Sequence, residues 1–186
     1  KVAIVGSGAV AQAHWRHVEN LRSWSEVSIY SPDLKNKKEN RETWKNLHQH
    51  IKFCESAEQA AADADLVMLC TSSGKPVIDT SVLAPQVMVT SISTNVVQAH
   101  EISPVFLKEM QVYCDYRKTT PASAGEMVLA VRDHGWSRDD IIGDLPELAT
   151  GNCLLPEPGR PIFFRSIGLG LEDIAIANAL YRALKT

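Results

Sequence analysis

The sequence lacks a long hydrophobic run and a basic stripe. No window of its 186 residues approaches the roughly 20 consecutive apolar residues of a membrane-spanning helix, so no membrane partner is expected. Its 19 Lys and Arg are outnumbered by 22 Asp and Glu, which gives a net charge of −3. Basic residues cluster only at Lys35–Lys38. Nucleic-acid-binding proteins carry extended basic patches, so nucleic acid is not expected as a partner.

Paired cysteines and a secretory signal are also missing. The 4 cysteines stand far apart and none forms a CxxC pair, which favours reduced thiols in a cytoplasmic protein over a disulfide framework. The opening Lys1–Val5 lacks the long apolar region and cleavage site of a signal peptide. Because the first residue is not Met, we expect the printed sequence to begin after the true start.

Short apolar runs alternate with helical patterns along the chain. The runs predict seven strands: Val2–Val5, Val27–Tyr30, Ile51–Cys54, Leu66–Cys70, Gln86–Ile92, Val112–Asp115 and Pro161–Arg165. The helical patterns predict seven helices at about 8–24, 36–48, 58–64, 103–110, 124–134, 145–150 and 171–184. This alternation predicts an α/β chain, Rossmann-type and doubly wound, with a mostly parallel sheet and helices on both faces. We expect one domain over residues 1–186.

A glycine-rich turn links the first predicted strand to the first predicted helix. Residues 6–11 read Gly-Ser-Gly-Ala-Val-Ala and fit the G-x-G-x-x-G/A pattern of dinucleotide sites. Gly6 allows the tight turn, Gly8 lets a pyrophosphate approach the backbone, and Ala11 lets helix and strand pack closely. The alternative is a glycine turn that binds nothing.

The end of the second predicted strand bears on the choice of cofactor. NAD sites place an acid there for the ribose hydroxyls, whereas NADP sites place small polar and basic groups. Ser31 occupies that position, followed by Asp33 and the basic Lys35. We therefore predict NADP as the cofactor, with NAD as the alternative. A solvated helix start explains the lysines equally well.

Two later strand ends carry small polar residues. Ligands of open parallel sheets bind beyond the carboxyl ends of the strands, where Thr71-Ser72-Ser73 and Ser91-Ile92-Ser93-Thr94-Asn95 are expected. Taken singly, most such Ser and Thr residues only cap loops.

The sequence resembles the nucleotide-binding domain of the ornithine cyclodeaminase/mu-crystallin family. The matching stretches follow the family order along nearly the whole chain: Gly6–Gly8 with Ala11–His14, Ala64–Val67 with Thr71–Pro76, Ser91–Ser93 with His100–Ile102, Gly143–Leu145 with Glu147, Leu148 and Gly151, and Phe163–Asp173. The last stretch is the most specific, since no general Rossmann rule requires it.

The resemblance implies an NAD(P)H-dependent oxidoreductase that acts on the C=N/CH–NH bond of a small cyclic imino acid or amino acid. Pyrroline- and piperideine-2-carboxylate are the family's usual reductase substrates. The alternatives are ornithine cyclisation, amino-acid deamination of the alanine dehydrogenase type, and a non-catalytic protein that binds NADPH and a small ligand.

The resemblance also assigns site residues. It places the pyrophosphate on Gly6, Ser7, Gly8, Ala9 and Val10, and the adenosine ribose beside Ser31. Cys70, Thr71 and Ser72 then lie beside the cofactor, and Ser91, Ile92, Ser93 and Ser166 lie near the nicotinamide. Asn95 stands where ornithine cyclodeaminases have an Asp. Because Asn cannot carry the proton, this argues for imine reduction, with Asn95 orienting substrate or water.

From the resemblance, we expect the family's substrate-binding and dimerisation domain to be absent from this chain. The resemblance therefore implies a homodimer of longer subunits and an exposed apolar face near the first residue and the last helix. A metal site at His14 and His17 is not predicted, because such sites need three or four ligands.

Overall fold

The fold is built on one parallel sheet. The structure is a computed structural model that describes residues 1–48, 50–94 and 98–185. Within these residues the strands are β1 (Val2–Val5), β2 (Val27–Tyr30), β3 (Ile51–Phe53), β4 (Leu66–Leu69), β5 (Met88–Ser91), β6 (Gln111–Cys114), β7 (Ile141–Asp144) and β8 (Ile162–Arg165).

Helices connect most of these strands. They are α1 (Ala9–Val18), α2 (Asp33–Asn36), α3 (Lys38–Leu47), α4 (Ala57–Ala61), α5 (Thr120–Ser123), α6 (Gly125–Asp133), α7 (Leu145–Thr150) and α8 (Gly170–Ala183). Short 3₁₀ helices cover Thr80–Val82, Pro104–Lys108 and Arg138–Asp140.

The strand order is β3-β2-β1-β4-β5-β8-β6-β7, and every described pairing is parallel. The predicted doubly wound Rossmann-type fold is therefore confirmed. Because β2 lies on one side of β1 and β4 on the other, the chain reverses its direction of winding at β1. Open α/β sheets bind their ligands at this kind of reversal, beyond the carboxyl ends of the strands.

Both faces of the sheet are buried. The side chains of Val2 and Ile4 pack in one cluster with Trp15 of α1 and Trp44 of α3, both of them fully buried. Ala3 and Val5 belong to a second cluster that includes Met127 and Phe163. Successive β1 residues thus face opposite layers, as strand geometry requires.

Several predicted boundaries were wrong. The α1 helix ends at Val18 rather than near Trp24, because the indole Nε1 of Trp24 donates a 2.8 Å hydrogen bond to the Val18 carbonyl. The helix predicted over 36–48 is two helices, since Lys37 takes an extended conformation between α2 and α3. The β7 strand and the α5 helix were not predicted.

The last helix is exposed along its whole length. Its apolar side chains include Leu171, Ile174 and Leu180, which are exposed by 74%, 67% and 60%. Leu21, at the end of the sheet where the chain begins, is 70% exposed. The expected apolar face near the first residue and the last helix is thus present. None of the described helices is both long and apolar enough to cross a bilayer.

Candidate functional site

The turn after β1 is held in a conformation that requires glycine at its first position. Gly6 has φ +116°, and a Cβ there would lie 2.3 Å from the Cys70 carbonyl oxygen at the end of β4. The Gly6 N–H donates to the Tyr30 carbonyl of β2 at 2.8 Å. The turn therefore lies against both neighbouring strands, at the reversal point of the sheet.

The start of α1 offers free backbone donors. Gly8 is its N-cap residue, no described side chain caps it, and the first turn contains no acid. The first N–H groups of a helix have no partner within the helix, and the helix dipole favours an anion beside them. A Cβ at Gly8 would meet no described atom within 4 Å, so the space above the turn is open. These features fit a diphosphate group.

Two side chains hold the turn from behind. The buried Trp44 donates its indole Nε1–H to the Ser7 carbonyl at 3.2 Å, and Gln12 donates to the same oxygen at 3.4 Å. With the Ser7 carbonyl turned inward, the N–H groups at the start of α1 are left for a ligand.

A cavity of about 870 Å³ opens over this turn. Small-molecule and cofactor sites measure about 300–1,000 Å³. Ten of the predicted cofactor residues line it: Gly6, Ser7, Gly8, Ala9, Val10, Ser31, Cys70, Thr71, Ser72 and Ile92. Ser73 and Thr94, which the sequence placed at the ligand-binding strand ends without assigning them a cofactor contact, also line it, as do Val5, Tyr30, Pro32, Asp33 and Val77.

The β2 end of the cavity is neutralised by ion pairs. Ser31 is nearly buried, and the Asp33 carboxylate pairs with Lys37 at 2.8 Å. Lys35 does not line the cavity, because its ammonium pairs with Glu55 at 2.6 Å. Because both pairs are exposed to solvent and therefore weak, a phosphate can compete for the lysines. A cofactor contact by Lys35 stays a prediction.

Cys70 lines the cavity but is chemically protected. Burial, and to a lesser extent the nearby Glu101 carboxylate, raise the pKa of its thiol to about 12. The thiolate is the nucleophilic form. Cys70 therefore contributes a neutral wall rather than a reactive group.

Three predicted nicotinamide-side serines are not among the described residues that line the cavity. Ser91 and Ser93 are buried, with their hydroxyls donating to Glu101 and to the Ser73 carbonyl, at 2.8 and 2.7 Å. Ser166 donates to the buried Asp115 carboxylate at 3.0 Å. Their direct contact with a cofactor stays a prediction, and the structure gives each hydroxyl another partner.

Asn95 lies outside the described residues, so its predicted catalytic role stays a prediction. Within the described ranges, no group of three or more His, Cys, Asp or Glu is arranged to hold a metal ion.

The described polar groups around the cavity are suited to binding and orienting a ligand. Their signals in the sequence were the glycine pattern and the polar strand ends. Ser73 and Thr94 belong to the predicted strand-end loops, and Tyr30 could have been found by extending the loop after the second strand back by one residue. Val77 also lines the cavity from the loop after β4, but a single apolar residue in a loop fits no sequence pattern.

Residues 1–186 match the sequence model of the ornithine cyclodeaminase/mu-crystallin family. The chain is 49% identical over 182 residues to the NAD(P)H-dependent anabolic L-arginine dehydrogenase DauB of Pseudomonas aeruginosa. That alignment covers 98% of this chain and 57% of DauB, so the chain spans little more than half of its relative's length.

Solved structures share the fold. Delta(1)-pyrroline-2-carboxylate reductase of Thermococcus litoralis, solved with NADH and L-proline, superposes with a TM-score of 0.90 at 24% identity, over 99% of this chain and 58% of that one. Iminosuccinate reductase of Paracoccus denitrificans, solved with NAD+, superposes with a TM-score of 0.86 at 20% identity, over 99% of this chain and 56% of that one.

Proposed function

Because the chain belongs to the ornithine cyclodeaminase/mu-crystallin family, we propose that it is the NAD(P)H-binding domain of an oxidoreductase acting on the C=N/CH–NH bond of a small imino or amino acid. One observation carries this proposal. The uncapped start of α1 faces an open cavity lined by ten residues predicted for a dinucleotide. The 49% identity to DauB, an NAD(P)H-dependent dehydrogenase of an amino acid, supports the same reaction class.

The residues present fit such a cofactor. The start of α1 would hold the diphosphate, Ser31 and Asp33 would lie at the adenosine ribose, and Thr71, Ser72 and Ile92 would lie toward the nicotinamide. When bound, the cofactor supplies the hydride that reduces the imine carbon. The chain's own task is to orient the cofactor and to exclude water. Thr71 and Ser72 supply polar groups at the crevice, and the neutral thiol of Cys70 does not compete for substrate.

We propose NADPH as the preferred reductant and NADH as the alternative, because Ser31 stands where NAD sites place an acid. The substrate class is a 2-imino acid, cyclic or formed from a 2-oxo acid and ammonia. Cytoplasmic location is supported by the four free cysteines. A homodimer follows from the family resemblance alone.

The test is a turnover assay on the full-length form of the protein. NADPH loss is followed with pyrroline-2-carboxylate, with piperideine-2-carboxylate, and with the 2-oxo analogue of arginine plus ammonia, beside calorimetric titration with NADPH. Oxidation with one of these substrates supports the proposal. NADPH binding without turnover on any of them supports the non-catalytic alternative, and failure to bind NADPH or NADH contradicts both.

A further inference from the structure

Glu101 is a fully buried carboxylate behind the cavity, between β5 and the 3₁₀ helix Pro104–Lys108. Its Oε1 accepts hydrogen bonds from both the N–H and the hydroxyl of Thr71, each at 2.7 Å. Thr71 belongs to the loop that follows β4 and lines the cavity. The carboxylate therefore fixes this loop at its backbone as well as at its side chain.

The second carboxylate oxygen binds the neighbouring loop. Oε2 accepts from the Ser91 hydroxyl at 2.8 Å, the Ile92 N–H at 3.1 Å and the Ser93 N–H at 3.2 Å. The β4–β5 ladder ends at the pair Leu69 and Ser91. Beyond it, the backbone donors of both loops need another acceptor, and Glu101 provides one for each loop.

Both loops lie on one side of the proposed cofactor site. The adenosine end of a dinucleotide lies toward β2, and the other end lies across β1 toward β4 and β5. We propose, on the basis of the proposed function, that Glu101 is a positioning residue for the nicotinamide half of the site. Glu101 is not among the described residues that line the cavity, whereas Thr71 and Ile92 are. Glu101 therefore acts through these two residues.

A carboxylate is required because all five groups bound to it are donors. An ionised carboxylate only accepts, whereas the amide of Gln presents an NH₂ in place of one oxygen. Turned toward Thr71, that NH₂ can still donate to the hydroxyl but leaves the Thr71 N–H without an acceptor. Turned the other way, it leaves two N–H groups without one. A buried donor without a partner is costly, so E101Q displaces either the Thr71 loop or, in the other orientation, the loop of Ile92 and Ser93.

The experiment compares two ligands by calorimetry on wild type and E101Q. NADPH reports on the whole site, and 2′-phospho-ADP-ribose, which lacks nicotinamide, reports on the adenosine and diphosphate part. We expect E101Q to weaken NADPH binding about tenfold and fragment binding less than twofold. A general structural defect would weaken both ligands equally, and that result would overturn the proposal, as would an unchanged NADPH affinity.

Asp144→Asn is the matched control. Asp144 is also a buried carboxylate that accepts two backbone N–H groups, from Arg117 and Glu147, each at 3.0 Å, and it does not line the cavity. D144N should lower stability without changing the ratio of the two affinities. An equal change of that ratio in D144N would overturn the proposal.

Ser91→Ala keeps the test decisive if E101Q does not fold. It removes one hydrogen-bond donor from Glu101. The affinity for NADPH relative to that for 2′-phospho-ADP-ribose should therefore fall about threefold. An unchanged ratio in S91A, or a wild type that binds both ligands equally well, overturns the positioning role. A wild type that binds neither ligand contradicts the proposed function itself.

Discussion

Gly6 and Gly8 stand in the same turn for different physical reasons. Gly6 combines a positive φ with a backbone oxygen 2.3 Å from where a Cβ would lie, so the fold itself requires glycine at this position. Gly8 has φ −75° and open space around it, so an alanine fits there without a clash. What an alanine at residue 8 would obstruct is a diphosphate approaching the backbone.

We therefore expect Gly8→Ala to lower NADPH affinity at least tenfold while changing the free energy of unfolding by no more than about 1 kcal/mol, the cost of an alanine N-cap. Gly6→Ala should instead cost about 2 kcal/mol or more, through strain and the contact with Cys70. Urea unfolding and calorimetry measure both variants. A Gly8→Ala protein that binds NADPH like wild type would argue against a diphosphate at this turn.

The choice between NADPH and NADH depends on charge at the end of β2. Ser31→Asp adds a carboxylate close to where the 2′-phosphate of NADPH would lie. We expect NADPH affinity to fall about tenfold by like-charge repulsion, with NADH affinity much less affected. Ser31→Asn adds a side chain of similar size without charge and serves as the control. Retained preference for NADPH in S31D would show that Ser31 does not discriminate.

The raised pKa of the Cys70 thiol leads to a prediction about its reaction with alkylating reagents. A thiol pKa raised from 9.0 to about 12 leaves about a thousandfold less thiolate near neutral pH. Because the thiolate is the reactive form, iodoacetamide at about pH 8 should leave Cys70 unmodified in the native protein. The half-buried Cys153 is the internal comparison. Mass spectrometry of the labelled peptides measures both, and labelling of Cys70 as fast as Cys153 would contradict its protection.

At the scale of elements, α7 was predicted correctly because its signals are local. Asp144 and Glu147 form a reciprocal capping box at its start, and Gly151 ends it with φ +70°. Both signals can be read within the eight residues from Asp144 to Gly151. The predicted boundaries of α1 and α3 were wrong because Trp24 bonds to the last turn of α1 and Lys37 separates α2 from α3 by its extended backbone. Periodicity encodes neither feature.

Gly151→Ala should cost about 1 kcal/mol of unfolding free energy, because Ala is strained at that positive φ although no described atom would touch its Cβ. Nucleotide affinity should not change. Gly170→Ala, at the start of α8 where φ is not positive, is the matched control and should cost nothing. Equal losses in the two variants would mean that backbone strain is not what Gly151 avoids.

The β7 strand was missed for a different reason. Ile141-Ile142-Gly143 is too short an apolar run to show a period, and glycine is unfavourable in a strand. The structure requires glycine at residue 143, because a Cβ there would lie 2.4 Å from the Cys153 sulfur. Only the packing of a later loop reveals this requirement.

At the scale of the whole molecule, the sequence predicts the α/β class and a doubly wound parallel sheet but not the order of the last strands. β8 inserts between β5 and β6, so its partners are distant along the chain. Arg165 at its end forms a 2.7 Å ion pair with Glu126, and both side chains are fully buried. Burial raises the pKa of the Glu126 carboxyl, and the Arg165 charge opposes that rise. No local pattern indicates this pairing.

In the candidate site, too, local features could be predicted from the sequence and long-range contacts could not. The turn after β1 and the polar strand ends were predicted because each is a local motif. The role of Glu101 was not, because its five donors come from two loops that meet only when β4 and β5 pair.

The most direct test of a dinucleotide site at the sheet reversal is a crystal structure of the protein with NADPH, at a concentration where calorimetry shows saturation. We predict that the diphosphate oxygens lie about 2.7–3.2 Å from backbone nitrogens at the start of α1. Nucleotide bound elsewhere, with this turn free of the diphosphate, would contradict the account.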